Sequence, residues 1–163
     1  MGVAVKALLS RMTGGPEQLA IGEAPDPVPD AGELLIAVKA CGVNFPDTLI
    51  LEDQYQYKPM RPFSPGGEVA GIVAALGPDV AGMRIGDRVM AWCAWGGMAE
   101  KVKVAASRCV RMPDEMPFDE GSAFIMTYGT SHYALAQRGQ LAAGETLLIL
   151  GAAGGAGLAA VEL

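Results

Sequence analysis

A glycine-rich stretch near the end of the chain has the residue types of a phosphate-binding loop. Residues 147–150 form a short apolar run, residues 151–157 follow with the sequence GAAGGAG, and residues 158–163 favour a helix. Glycines let the backbone approach a pyrophosphate, and a helix N-terminus offers free N–H groups. A buried strand, a glycine loop and a helix in this order predict the opening unit of a dinucleotide-binding domain.

The glycine pattern alone is weak evidence for that function. On the template G-x-G-x-x-G, Ala152 takes the place of the first glycine, and Gly154 and Gly157 take the other two. A strand-to-helix turn in any α/β protein has the same composition. The acidic residue that binds a ribose is expected about 20 residues later, which falls beyond Leu163. The choice between NAD and NADP therefore stays open.

The cysteines and the histidine do not form a recognisable metal or redox motif. Cys41, Cys93 and Cys109 are widely spaced, and no C-x-x-C pair occurs. We expect them to be buried thiols in a reducing compartment. His132 is the sole histidine, and a lone histidine in a helix is more often packed or on the surface than catalytic.

Many short strands separated by turns are expected in the first two thirds of the chain. The first two pair as a hairpin, and residues 44–52 can form a short helical turn with Pro46 near its start. Strands at this spacing favour a barrel or a sandwich. The predicted strands are residues 3–9, 19–23, 33–43, 66–76, 88–92, 98–104 and 109–112.

The character of the sequence changes after Pro113. Acidic residues near Pro117 are typical of a helix start, because they complement the helix dipole. Residues 123–135 contain few polar side chains, so we expect a largely buried helix, or two helices broken near residues 128–129. A boundary near residues 115–120 divides the chain into two parts, residues 1–117 and 118–163.

Composition excludes several classes of protein. The hydrophobic content of 51% is ample for a core, yet no apolar run approaches the length of a membrane span. A net charge of −6 disfavours a protein that binds the phosphate backbone of nucleic acids. We therefore expect a cytoplasmic protein with no nucleic-acid partner and no membrane partner.

Five short motifs, taken in order, resemble those of the medium-chain dehydrogenase/reductase superfamily. The resemblance is strongest to its zinc-free quinone oxidoreductases, the zeta-crystallin-like branch, and spans the whole chain. The motifs are ACGVNFPD (40–47), PGGEVAG (65–71), GDRV (86–89), TYGT (127–130) and the glycine loop (151–157).

This resemblance implies a mainly β, GroES-like barrel over residues 1–117. Helices and the first βα unit of a Rossmann α/β domain would follow over residues 118–163. Members of the family are about twice as long, so the chain resembles an N-terminal half. We expect it to be inactive alone and to belong to a homodimer when complete.

The resemblance also implies that no zinc is bound. Zinc-containing alcohol dehydrogenases of the superfamily use a cysteine, a histidine and a second cysteine. Those places correspond here to Asn44, Gly67 and Met126. Glycine has no ligand atom, and amides and thioethers are poor ligands for zinc. We therefore predict no metal site.

Several residues acquire a candidate role from the resemblance. Asn44 would bind the nicotinamide ribose or the substrate, and the alternative is an ordinary turn asparagine. Tyr55 would cover the nicotinamide or the substrate, and a surface aromatic residue is the alternative. Thr130 would contact the nicotinamide end, unless it serves only helix packing. Asp47 and Glu68 match family positions and are assigned mainly to structure. The pyrophosphate contacts would be Ala153, Gly154, Gly155, Ala156 and Gly157.

These roles favour an oxidoreductase that moves hydride from NADPH, with NADH not excluded, to a quinone or another conjugated enone. Such a protein need only orient two rings and exclude water. An enoyl-thioester reductase of the same superfamily, with Tyr55 as proton donor, is the close alternative. A non-catalytic dinucleotide-binding or structural protein is another. A co-chaperonin-like barrel is a further alternative, but it would give Asn44 and the glycine loop no functional role.

Overall fold

Seven β-strands dominate the first part of the chain. The structure is a computed structural model, and it describes residues 4–163. All seven predicted strands are present, and their ends differ from the prediction by at most three residues. Val3, the predicted first residue of the first strand, lies outside the described residues. The strands are β1 (Ala4–Ser10), β2 (Leu19–Pro25), β3 (Glu33–Gly42), β4 (Glu68–Leu76), β5 (Arg88–Trp92), β6 (Lys101–Ala105) and β7 (Cys109–Arg111).

Strands β1 and β2 form the predicted antiparallel hairpin, with Ser10 opposite Leu19. The other edge of β1 is tied to distant loops. Ser10 exchanges two backbone hydrogen bonds with Phe63, at 2.8 and 3.2 Å, and the N–H of Leu8 donates to the carbonyl of Met98 at 2.8 Å. These bonds join the hairpin to the rest of the β structure.

The remaining strands form one antiparallel sheet in the order β6-β3-β4-β5-β7. At its centre Gly71 lies so close to Ala37 that a Cβ would stand 2.2 Å from the Ala37 carbonyl oxygen. Glycine is therefore required at this position, where β4 pairs with β3. The main core consists of Leu34, Ile36, Val69, Val73, Val89, Ala91, Val102, Val104 and Cys109.

Two short helices flank the strands: the second packs on this sheet, and the first packs against Phe63 and Leu19. Helix α1 (Phe45–Leu51) is the helical turn predicted after β3, and helix α2 (Phe118–Ser122) starts the second part of the chain. Phe118 packs against a small cluster around Met90 and Met112. Because α2 rests on the β structure, the boundary between residues 1–117 and 118–163 stays a prediction.

A continuous helical run follows α2. It consists of a π-helical turn (Ile125–Gly129), helix α3 (Thr130–His132) and a second π-helical turn (Tyr133–Arg138). The alternative with a break near residues 128–129 is wrong, since Gly129 has helical dihedrals, φ −59° and ψ −44°. The expected burial is wrong as well, because most residues from 129 to 135 are exposed. Apolar residues become buried only where another layer covers them.

The second part ends with helix α4 (Gly155–Glu162). The strand predicted at residues 147–150 is not formed, and Leu148 and Leu150 are 81% and 85% exposed. A strand is stabilised by hydrogen bonds to a neighbour, and no strand within residues 4–163 lies beside this segment. None of the helices in this described part is long and apolar enough to cross a membrane.

Candidate active site

A small cavity, which we call the acceptor cavity, lies where the loops of the β structure meet the helical run. Its volume is about 120 Å³. Asn44 reaches it from the end of β3, and Tyr55 reaches it from the loop after α1. Gly67 comes from the start of β4, Trp92 from the end of β5, and Met126 from the first π-helical turn. Five separate segments of the chain therefore build its walls.

Glu68 holds two of these walls together. Its carboxylate accepts a hydrogen bond from the Asn44 amide (Nδ2 to Oε1, 2.9 Å) and another from the backbone N–H of Met126 (to Oε2, 3.0 Å). The residue is only 1% exposed. The structural role that the sequence analysis gives to Glu68 agrees with this geometry. Its structural task is to orient Asn44 and to fix the helical run against β4.

Asp47 performs a similar task on the other side of Asn44. Its carboxylate accepts hydrogen bonds from the backbone N–H of Asn44, at 2.8 Å, and of Gly66, at 3.1 Å. The first of these bonds belongs to the N-terminus of α1, where Asn44 is the capping residue. Acidic side chains at this position satisfy N–H groups that have no partner within the helix. The short helix thus holds Asn44 in place.

Both buried carboxylates have a perturbed pKa. Burial raises the pKa of Glu68, and the hydrogen bonds from Asn44 and Met126 oppose this shift. Burial likewise raises the pKa of Asp47, against the bonds from the N–H groups of Asn44, Gly66 and Gly67. Since donors face both carboxylates, the arrangement suits two anions that position their neighbours. It does not suit a proton donor.

Tyr55 forms the outer wall of the acceptor cavity. Its ring packs against a cluster of Ile50, Leu51 and Phe63, and its centroid lies 5.8 Å from that of Tyr57. The cluster fixes the ring while one side faces the cavity. The structure therefore places Tyr55 and Asn44 on the same cavity, and their roles stay predictions.

The three positions that correspond to zinc ligands also meet in this cavity. Asn44, Gly67 and Met126 all line it, although they are far apart in the sequence. Gly67 offers no side chain. Nowhere in residues 4–163 do three or more His, Cys, Asp or Glu side chains lie together as a potential metal cluster. The absence of zinc itself stays a prediction, because the chemistry of the donors is its only support.

The glycine loop has the close contacts that a phosphate-binding turn needs. Gly151 has φ +70°, and a Cβ on Gly157 would lie 2.2 Å from the Gly151 carbonyl oxygen. Gly154 precedes helix α4, where an added Cβ would meet ordinary contacts at 3.5 Å. The loop is exposed along residues 151–156, so the first N–H groups of α4 are accessible. These features fit a pyrophosphate.

The helical run connects the acceptor cavity to the glycine loop. Met126 lines the cavity, and Ser131, five residues further on, donates a hydrogen bond from Oγ to the carbonyl of Ala156 at 2.6 Å. Tyr128 also bonds to Glu162 of α4. One helical run therefore contributes to both candidate sites.

Thr130 is placed differently from the other candidates. It is exposed on α3 and does not line the acceptor cavity, so its contact with a nicotinamide stays a prediction. His132 is also exposed. The sequence assigned neither Trp92 nor Tyr57 a place in the site. Trp92 ends the predicted strand 88–92, whereas Tyr57 lies within the loop between residues 52 and 66, where no local signal marks it.

Cys109 is buried, as expected from the sequence, whereas Cys41 and Cys93 are only partly buried. Burial raises the pKa of Cys41 to about 12 and that of Cys109 to about 11. Burial raises the pKa of Cys93 as well, and its thiol donates to the carbonyl of Gly66 at 3.3 Å. None of these thiols has the lowered pKa of a nucleophile.

The fold is a mainly β domain followed by a helical run, a glycine loop and a final helix. The family described as the alcohol dehydrogenase GroES-like domain matches residues 30–114, just over half of the chain. The chain belongs to this family. The predicted fold class, a mainly β GroES-like domain followed by helices, is confirmed.

More specific similarities point to one branch of the superfamily. The quinone oxidoreductase of Lama guanicoe is 40% identical over 152 residues, which cover 92% of this chain and 46% of that protein. The crystal structure of the human synaptic vesicle membrane protein VAT-1 homolog-like protein has a TM-score of 0.94 and 37% identity, covering 98% of this chain and 52% of that one. The predicted resemblance to medium-chain dehydrogenase/reductase quinone oxidoreductases is confirmed.

A third similarity concerns the cofactor. A mycobacterial protein whose structure was solved with NADPH has a TM-score of 0.88 and 36% identity, covering 97% of this chain and 49% of that one. The chain spans about half the length of the relatives it matches, or less.

Proposed function

We propose that this chain supplies the acceptor cavity and the first cofactor-binding element of a zinc-independent, NADPH-dependent oxidoreductase. Its acceptor would be a quinone or another conjugated enone. The observation that supports this best is the helical run, which carries Met126 into the cavity and Ser131 onto the glycine loop. A cofactor bound at the loop would therefore have its reactive end directed towards Asn44 and Tyr55.

The cofactor would lie along that segment. Gly154, Gly155 and Gly157 have the small size that a pyrophosphate contact requires, together with Ala153 and Ala156. Asn44 and Thr130 would bind the nicotinamide end. NADPH supplies the hydride when bound, and NADH is not excluded, because the residues that select between them follow later in such a domain.

The residues of this chain would bind and orient the acceptor. Reduction of a quinone adds one hydride and one proton. Reduction of an enone places the hydride on the β-carbon and the proton on the α-carbon. Glu68 fixes the amide of Asn44, and the rings of Tyr55 and Trp92 exclude water from the acceptor. The proton comes from water at the cavity mouth or from the Tyr55 hydroxyl.

Complete activity would require a second half of the dinucleotide-binding domain. The adenine pocket and the ribose carboxylate of such a domain are formed by later elements. We therefore expect these 163 residues alone to bind NADPH weakly and to reduce no acceptor. We also expect the complete protein to be a cytoplasmic homodimer.

The test is a chimera that joins residues 1–163 to the C-terminal part of a quinone oxidoreductase relative. The chimera should oxidise NADPH in the presence of a quinone or an enone, whereas the isolated chain should not. Faster oxidation with enoyl thioesters than with quinones would favour the reductase alternative. A chimera that binds NADPH firmly but reduces none of the three acceptor classes would contradict the proposal and favour a non-catalytic role.

A further inference from the structure

A second and larger space adjoins the acceptor cavity. It is a cleft of about 650 Å³ between strands β1 and β6, and we call it the barrel cleft. Tyr57 and Ala94 line both the barrel cleft and the acceptor cavity. Ala94 contributes only a methyl group. The ring of Tyr57 is therefore the main bulk between the two spaces.

Aromatic neighbours hold this ring in place. The centroid of Tyr57 lies 5.8 Å from that of Tyr55 and 6.1 Å from those of both Trp92 and Trp95. Tyr55 and Trp92 belong to the acceptor cavity, and Trp95 belongs to the barrel cleft. Tyr57 is thus the middle member of a row of rings that runs from one space to the other.

The barrel cleft has the chemistry of a site for hydrocarbon. Val5, Leu9, Phe63 and Val102 are among the apolar residues of its wall. Its lysines are paired, since Lys101 bonds to Asp26 at 2.6 Å and Lys103 pairs with both Asp30 and Glu33. Its remaining cation, Arg108, lies over the ring of Trp92, 4.7 Å from the centroid. An alkyl chain would therefore meet few free charges there.

We propose that Tyr57 determines the size of the acceptor by closing the acceptor cavity towards the barrel cleft. This inference rests on the proposed function. A cavity of about 150 Å³ can hold a benzene molecule, so a cavity of about 120 Å³ holds one six-membered ring and little more. An acceptor that carries a long chain on this side of its ring is excluded while the Tyr57 ring is present.

The two tryptophans make the inference testable on the chain itself. The sequence contains two tryptophans, and Trp95→Phe leaves Trp92 as a single fluorescent reporter beside the acceptor cavity. In this background we would titrate methylcyclohexenone and pentylcyclohexenone, with Tyr57 intact and with Tyr57→Ala. With Tyr57 intact, the pentyl compound should bind no more tightly than the methyl compound. Each methylene newly buried strengthens binding about fourfold, so Tyr57→Ala should favour the pentyl compound by at least tenfold.

Two further variants control for unrelated effects. Tyr57→Phe keeps the ring and should behave as the protein with Tyr57 intact. Tyr57→Leu also opens the wall and replaces Tyr57→Ala if that variant fails to fold, as judged by its thermal melt. A pentyl preference of tenfold with Tyr57 intact would overturn the inference, and so would a folded Tyr57→Ala or Tyr57→Leu variant without that preference.

A pair of hydrocarbons separates this inference from the proposed function. Toluene and pentylbenzene carry no carbonyl group, so their binding does not depend on acceptor recognition. If neither enone binds to any variant, the proposed acceptor site is wrong. The hydrocarbon pair then still decides the role of Tyr57. A pentylbenzene preference that appears only when the ring is removed supports it, and equal preference in all variants overturns it.

Discussion

The Asn44 amide donates a hydrogen bond to the carboxylate of Glu68, 24 residues further along the chain, at 2.9 Å. The same carboxylate accepts the backbone N–H of Met126 at 3.0 Å. One buried anion thus holds a loop of the β structure and the first turn of the helical run. The geometry of the acceptor cavity depends on this link, because Asn44 and Met126 both line it.

Glu68→Gln should destabilise the protein, because an amide cannot accept hydrogen bonds at both of its polar atoms. A buried donor left without an acceptor costs about 1–3 kcal/mol. Burial raises the pKa of Glu68, so its contribution to stability is fully present below the ordinary pKa of about 4.5 and is lost as the pH rises through the folded pKa. In denaturant melts, the free energy of unfolding of the native chain should therefore exceed that of Glu68→Gln by the largest amount at acidic pH. Glu120→Gln, at an exposed position of α2, is the control and should show neither effect.

Asn44→Ala should raise the pKa of Glu68 further. The hydrogen bond from Asn44 opposes the effect of burial on this pKa, and the substitution removes it. The pH at which stability falls should move upwards relative to that of the native chain. Denaturant melts over a pH series would measure the shift. An unchanged pH profile would mean that the Asn44 bond does not stabilise the anion.

Gly157→Ala should disturb the glycine loop, and Gly154→Ala should not. An added Cβ on Gly157 would lie 2.2 Å from the Gly151 carbonyl oxygen, whereas one on Gly154 would meet that atom at 3.5 Å. Forcing atoms into a packed site typically costs about 1–3 kcal/mol. Thermal melts of the two variants of the isolated chain would measure this difference. Equal behaviour of the two variants would show that the loop has another conformation.

Zinc content should be far below one atom per chain, which elemental analysis of the protein would measure. A gain-of-function variant tests whether the three aligned positions truly meet. Asn44→Cys, Gly67→His and Met126→Cys together should bind zinc or cobalt stoichiometrically, since an added Cβ at Gly67 has its nearest contact at 3.4 Å. Gly67→His alone is the control and should bind far more weakly. Stoichiometric zinc in the unmodified protein would overturn the zinc-independent assignment.

Tyr55→Phe, made in the chimera, should separate two roles of this residue. If the hydroxyl donates a proton, kcat should fall by about 100-fold or more, which is the usual size of general acid catalysis. If the ring only covers the acceptor, the change should be confined to a few-fold effect on KM. A thermal melt controls for folding. Kinetics identical to those of the native chimera with every acceptor would leave the hydroxyl without a chemical role.

The sequence by itself determined the positions of the strands and the glycine loop. An apolar run over residues 34–38 identifies β3, in which Leu34, Leu35 and Ile36 are all buried. Local signals also place α1, since Pro46 and Asp47 stand in its first turn. The family follows from five motifs in order. These features are local, so they can be read from neighbouring residues.

Tertiary structure decided what these elements do together. The link from Asn44 to Glu68 and Met126 joins residues that no local pattern connects. The position of Tyr57 between the acceptor cavity and the barrel cleft follows from the packing of its ring against Trp92 and Trp95. Residues 147–150 show the converse case. Their composition predicts a strand, but a strand needs a partner to accept its hydrogen bonds, and residues 4–163 place none beside it.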